Sequence, residues 1–201
     1  MRPSLRRGGA IGGFVALVLV LGCSGASPPS GDDAGPPASA GAADGTADAR
    51  SGGDLRVTID GIGPIRAGMS VADASAAVGA ALSLPSDAAA TACAYLQWPG
   101  GPDGVLVMVE DGRIVRVDVR AGTTATEEGA RIGDSDERIR QLYDGRVTAS
   151  PHKYTAGQYL TVTPVSPADS AFRLVFETEG GRVTEYRAGT VPQVEYVEGC
   201  S

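Results

Sequence analysis

Residues 54–201 predict an α+β fold: two tandem repeats, each a short helix followed by antiparallel strands, sharing one antiparallel sheet. Three observations carry that expectation. A segment of the form Arg-x-Gly-x-Ser leads into a short amphipathic stretch twice, at Arg66 and again 65 positions later at Arg131. A pair of apolar runs around a turn follows each of them. The stretch Ser24–Gly53 has no Leu, Ile, Val, Met or aromatic residue with which to build a core. The repeats run over about 54–122 and 123–201.

A strand over Leu55–Ile59 opens the domain. In Arg66-Ala67-Gly68-Met69-Ser70 the serine is a helix N-cap, and Asp73 places an acid in the first turn. Apolar residues at 71, 74, 77 and 78 keep helical spacing, and Gly79 stops the helix. A strand over Cys93–Trp98 follows. Val105–Val109 and Ile114–Val119 then flank Asp111-Gly112, the signal of a two-residue type I′ turn. That register pairs Met108 with Val115 and Leu106 with Val117 on one face. It sets Val107 opposite Arg116 and Val105 opposite Asp118 on the other. One face is therefore core and the other mixed.

The second unit repeats the pattern. Ser135 caps a helix with apolar residues at 139, 142 and 143, which ends by Gly145. A strand over Gln158–Val165 precedes a hairpin of Phe172–Thr178 and Arg182–Arg187, whose loop holds either two or three residues. A last strand covers Gln193–Val197, making about eight strands and two helices. A unit of roughly 65 residues buries too little alone, and sharing a sheet remedies that.

The residues before the domain speak to location. Arg2, Arg6 and Arg7 precede the apolar run Ala10–Leu21, whose 12 residues span about 18 Å as a helix, short of a ~30 Å hydrocarbon core. This is a signal peptide over 1–22 rather than a membrane span. Val20-Leu21-Gly22-Cys23 resembles the bacterial lipobox, which implies cleavage before Cys23, acylation of its thiol and a lipoprotein anchored on the extracytoplasmic side of a membrane. An ordinary secretory signal cleaved near Ala26 is the alternative. Removing residues 1–22 takes three of the 17 basic residues and none of the 24 acidic ones, leaving a net charge of −10. Anionic headgroups repel such a chain, so the membrane contact rests on the lipid of Cys23. The acidity also argues against a nucleic-acid partner. With Cys23, residues up to 53 form a linker almost entirely of Ser, Gly, Ala, Pro, Asp and Thr, with too little apolar surface to offset the entropy of ordering.

Two cysteines remain, Cys93 and Cys200, and an even pair in an exported chain is read as a disulfide. The lone histidine, His152, has no motif around it that marks a nucleophile or a metal site. Glu127-Glu128 and Asp134-Ser135-Asp136-Glu137 are read as turn and helix-cap acids. No catalytic, cofactor-binding or metal-binding residue is assigned. Tyr95, Trp98 and Tyr159 are the candidate partner surface, because Tyr and Trp dominate interface hot spots. Core packing is the alternative, since strand alternation sets Tyr95 with Cys93 and Trp98 with Leu96.

Gly68-Met69-Ser70, followed by an Ala-rich helix ending at Gly79 and then by strands, resembles the opening of BamE/SmpA-like lipoproteins. Duplicated, the unit resembles the tandem architecture of β-lactamase-inhibitor proteins. The resemblance implies a small exported scaffold that binds another protein. The expected function is thus a non-catalytic protein-binding or assembly module of the cell envelope, with an unidentified envelope protein as partner. The alternatives are an inhibitor of an exported enzyme, such as a β-lactamase or peptidase, and an envelope hydrolase working through carboxylates.

Overall fold

Two β-sheets, not helices, carry the computed structural model, which describes residues 55–86 and 93–200. The expected signal peptide (1–22), the expected lipid attachment at Cys23 and the expected linker to residue 53 lie outside the described residues. The smaller sheet has the order β3-β2-β1-β7, from β1 (Arg56–Thr58), β2 (Gly61–Ile62), β3 (Ile65–Arg66) and β7 (Ala125–Thr126). The larger comprises β4 (Cys93–Tyr95), β5 (Val105–Glu110), β6 (Arg113–Val119), β8 (Val147–Pro151), β9 (Gln158–Val162), β10 (Phe172–Glu179) and β11 (Arg182–Thr190). Its order is β4-β5-β6-β11-β10-β9-β8, and all its pairs are antiparallel.

The expected α+β pair of helix-then-strands repeats is therefore corrected to a mostly β fold. The helices α1 (Val71–Val78) and α2 (Asp136–Leu142) have eight and seven residues, and each buries one side chain, Ala74 and Ile139. The units also differ in content. A three-strand meander, β1 to β3, precedes α1, whereas only β7 precedes α2, where it pairs parallel with β1.

The Arg-x-Gly-x-Ser segments nevertheless have a definite local role. Ser70 accepts the Asp73 amide and Ser135 the Arg138 amide, both at 3.1 Å. Each segment also docks on the first residue after a hairpin turn. Ser70 bridges Arg113, whose Nη1 donates to Gly68 O at 3.1 Å. Ser135 bridges Arg182, whose Nη1 donates to Gly133 O at 2.9 Å. The helix stop expected at Gly145 comes earlier, with Tyr143 as the cap.

Both hairpins close with two residues of positive φ, Asp111 (49°) with Gly112 (75°), and Gly180 (57°) with Gly181 (74°). This is the sign of a type I′ turn. The register beyond the first turn departs from the expected one. A bulge after the Val109–Ile114 pair sets Met108 opposite Arg116, Val107 opposite Val117 and Leu106 opposite Asp118. An extra residue in one strand flips everything beyond it to the other face. Valines 107, 109, 117 and 119 consequently join Tyr186, Phe176 and Leu160 on one face, in a buried cluster with Val57, Ile62, Ile65 and the two helices.

Candidate functional site

On the opposite face, ladder pairing lines up Leu106, Asp118, Arg187, Val175, Thr161 and Thr148 across six strands. Beside this row lie Tyr95, Met108 and Arg116 on one side, and Glu185, Glu177, Tyr159 and Ser150 on the other. A mixed face of this kind normally meets water. Here Arg116, Asp118, Glu177 and Arg187 are all buried, each at most 7% exposed. The cover is the segment Val191–Cys200, a strap that leaves β11, makes a 3-10 turn at Gln193–Glu195 and ends in the disulfide between Cys200 and Cys93. A strand was expected at Gln193–Val197; instead its carbonyls turn down onto side chains of the sheet.

Two arginines hold the strap. Arg116 donates from Nε to both oxygens of Asp118 at 3.0 Å. Its Nη1 donates to the carbonyls of Gln193 (3.0 Å) and Tyr196 (2.6 Å). Arg187 donates from Nε to Val194 O at 2.6 Å and from Nη1 to Glu177. The other Glu177 oxygen lies 2.8 Å from His152 Nε2. His152 Nδ1 accepts the amides of Tyr154 and Thr155, both at 3.1 Å, so by hydrogen-bond logic the ring proton sits on Nε2. The ring stacks on Tyr159 with centroids 4.5 Å apart. Burial alone would push Glu177 up, but the hydrogen bonds from His152 and Arg187 outweigh it and hold the carboxyl below its ordinary range. The two arginines match the two carboxylates, so the buried network is electrically balanced.

Only one strap side chain, Val194, is fully buried. Beyond the arginines, Gln193 Nε2 donates to Glu110, and Lys153 Nζ and the Tyr154 hydroxyl donate to Glu198, so side chains of the strap hold it beside its carbonyls and the covalent tie at Cys200.

Glu185 opposes Glu177 directly across the β10–β11 ladder. Its carboxyl is pushed up, first by burial and then by the charge of Glu177. A carboxylate whose folded value is raised costs stability above its unfolded value. Glu185→Gln should therefore stabilise the protein by roughly 0.5 kcal/mol at pH 7, with the gain fading toward pH 4. Urea titrations at both pH values test this; a gain that is independent of pH would contradict the assignment.

The residues singled out from sequence separate here. Cys93 and Cys200 form the disulfide that closes the strap. Tyr95 and Tyr159 share the strap face but lie on β4 and β9, five strand steps or ~24 Å apart. Tyr95 accepts from Arg120 Nη2 at 3.2 Å and packs so close to Gly199 that a Cβ there would fall 2.4 Å from its hydroxyl. Burial, with the charge of Asp118 behind it, raises the Tyr95 hydroxyl. Trp98 packs against the core cluster and does not join the other two. The aromatic side chains exposed on the strap side are Tyr154 (60%) and Tyr196 (37%). Sequence reasoning passed over Arg116, Asp118, Glu177 and Arg187, because charges alternating with apolar residues read as a solvent face. Their only signal was position on strands next to a cysteine-tied segment.

A second feature is a cleft of about 400 Å³ between the small sheet and the loop after β9. Ile59, Val162 and Leu174 are among its apolar lining residues, and Asp60, Glu127, Glu128, Arg66 and Arg146 among its charged ones. The Tyr143 hydroxyl bridges Thr126 Oγ1 (2.7 Å) and Glu128 (2.9 Å), and burial pushes it far up, so it stays protonated. Tyr143→Phe leaves the buried Thr126 hydroxyl without this partner and should cost about 1 to 2 kcal/mol in chemical denaturation; an unchanged midpoint would show the bond to be neutral. Among the described residues there is no group of three His, Cys, Asp or Glu side chains placed to hold a metal ion. Among them, too, no helix is long and apolar enough to cross a membrane. Comparison with protein-family models, with characterised proteins and with solved structures finds no match to this chain.

Proposed function

We propose that this chain is a lipid-anchored protein of the cell envelope whose domain binds another protein without transforming it. The observation that carries the reading is the strap side of the large sheet. Its charged groups are spent on one another and on the strap's carbonyls, while Tyr154 and Tyr196 stand outward as exposed aromatic side chains. Tyrosine offers a large rigid contact area and a polar tip, the combination that protein interfaces use most. His152 supports the same reading, because both its ring nitrogens already have partners within the fold.

Affinity capture from membranes tests the proposal, using the intact chain, a Cys23→Ala variant and a Tyr154→Ser, Tyr196→Ser variant. The intact chain should partition with lipid and recover a reproducible protein partner. The Cys23 variant should lose the membrane, and the tyrosine variant the partner. An unacylated amino terminus found by mass spectrometry would remove the anchor. Capture that is indifferent to both tyrosines would remove the surface.

A further inference from the structure

We infer that the sheet face beneath Val191–Cys200 is a peptide-binding surface which the chain fills with its own strap, that the Cys93–Cys200 disulfide keeps it filled, and that a peptide able to make the same 3-10 turn replaces the strap once the disulfide is reduced. This deepens the protein-binding reading above and rests on it for its biological setting.

The strap is held in the manner of a ligand. Its contacts with the arginines run through the main-chain carbonyls of Gln193, Val194 and Tyr196, and its one fully buried side chain is Val194. A peptide that makes the same 3-10 turn around a branched apolar residue, with an amide side chain for Glu110 and a carboxylate for Lys153, presents the same groups, so the chemistry of the guest is defined by what already sits there. Much of the platform is also organised by groups outside the strap. Asp118 fixes Arg116, Glu177 fixes Arg187, His152 fixes Glu177, and the Tyr154 and Thr155 amides fix His152. Releasing the strap would return these charges to water rather than strand them in a dry interior, so the face survives exposure.

Reduction removes the covalent tie, after which only reversible hydrogen bonds to Arg116, Arg187, Glu110, Lys153 and Tyr154 hold the strap. Cys93 and Cys200 are both partly exposed and open to a dithiol. The dithiol gives up two electrons and two protons and becomes a disulfide, while Cys93 and Cys200 each take one of each and become thiols. The other end of the strap remains continuous with β11, so the segment swings away while the sheet keeps its ladders.

Two measurements test the proposal. In the first, hydrogen exchange is compared in the oxidised full chain and in the chain reduced with dithiothreitol. The Glu195 and Tyr196 amides, bonded within the 3-10 turn, should exchange at least tenfold faster on reduction, while amides of β5, β6, β10 and β11 stay protected. An unchanged strap, or a sheet that opens with it, overturns the latch. In the second, a fluorescent peptide with the sequence of Val191–Glu198 is titrated into a chain carrying Cys200→Ser and Val194→Asp, which ejects the strap. Saturable binding is expected, at least tenfold weaker for the same peptide with Asp in place of its second Val, and none to the oxidised parent. A folded variant that ignores the peptide overturns the surface, and so does a variant that cannot fold, because the strap would then be core. Neither arm uses a membrane or an envelope partner, so failure here and failure of the capture experiment are separable.

Discussion

Arg187→Met should cost about 3 to 5 kcal/mol, the penalty for leaving a buried carboxylate without its partner. Arg187 is 3% exposed and ties Glu177 to the strap carbonyl of Val194. The pH dependence should change as well, and the direction follows from Glu177. In the native chain burial pushes its carboxyl up, but the hydrogen bonds of His152 and Arg187 prevail and hold it below the ordinary value of 4.5. A depressed carboxyl contributes stability that is present above the unfolded value and is lost as pH falls through the folded one. Wild-type protein should therefore hold this contribution at pH 7 and lose it below about pH 4.5. Without Arg187, burial gains weight and Glu177 becomes a cost at neutral pH, so the variant's deficit should shrink on acidification. Urea unfolding at pH 7 and pH 4.5 reads this directly. An equal deficit at both values would mean that Arg187 acts by packing alone. Replacing both partners, Arg187→Met with Glu177→Leu, should recover much of the loss, because no charge is then left buried unpaired.

The Cys93→Ala, Cys200→Ala pair should show the second large effect. The disulfide joins residues separated by 107 positions, and the chain-entropy model assigns a loop of that length about 4 to 5 kcal/mol. The expected outcome is a fall of that size in the free energy of unfolding in urea, with the sheet still formed under native conditions by circular dichroism. A loss below about 1 kcal/mol would show that the strap is held by its carbonyl contacts and that the covalent tie adds little.

The two predictions meet at a part of the molecule that the linear order of residues conceals. Asp111-Gly112 announces its turn because two adjacent positive φ values need those residue types, and the turn is present. Ser70 and Ser135 announce their caps for a similarly local reason. The cysteine pair was legible from parity, once export was expected. The bulge that moves Arg116 opposite Met108 was not, because an extra residue in one strand is specified by what the neighbouring strands and the core demand. Strands β2, β3 and β7 went unanticipated because two residues are too brief to register a period, and β8 because its sequence Val147-Thr148-Ala149-Ser150-Pro151, mostly exposed, carries no alternation of large apolar residues. Gln193-Val194-Glu195-Tyr196-Val197 alternates like a strand yet forms a strap, since its carbonyls satisfy two arginines that come from distant strands.

Turns, caps and the disulfide partners could be read from residue order, since each depends on near neighbours or on a count of thiols. The mostly β architecture, the burial of Arg116 and Arg187, and the covering of one sheet face had to wait for the folded chain. A charged side chain carries no mark of whether it will meet water or a carbonyl some 80 residues away. That depends on which strands become neighbours, and long-range pairing is settled by the free energy of the whole assembly.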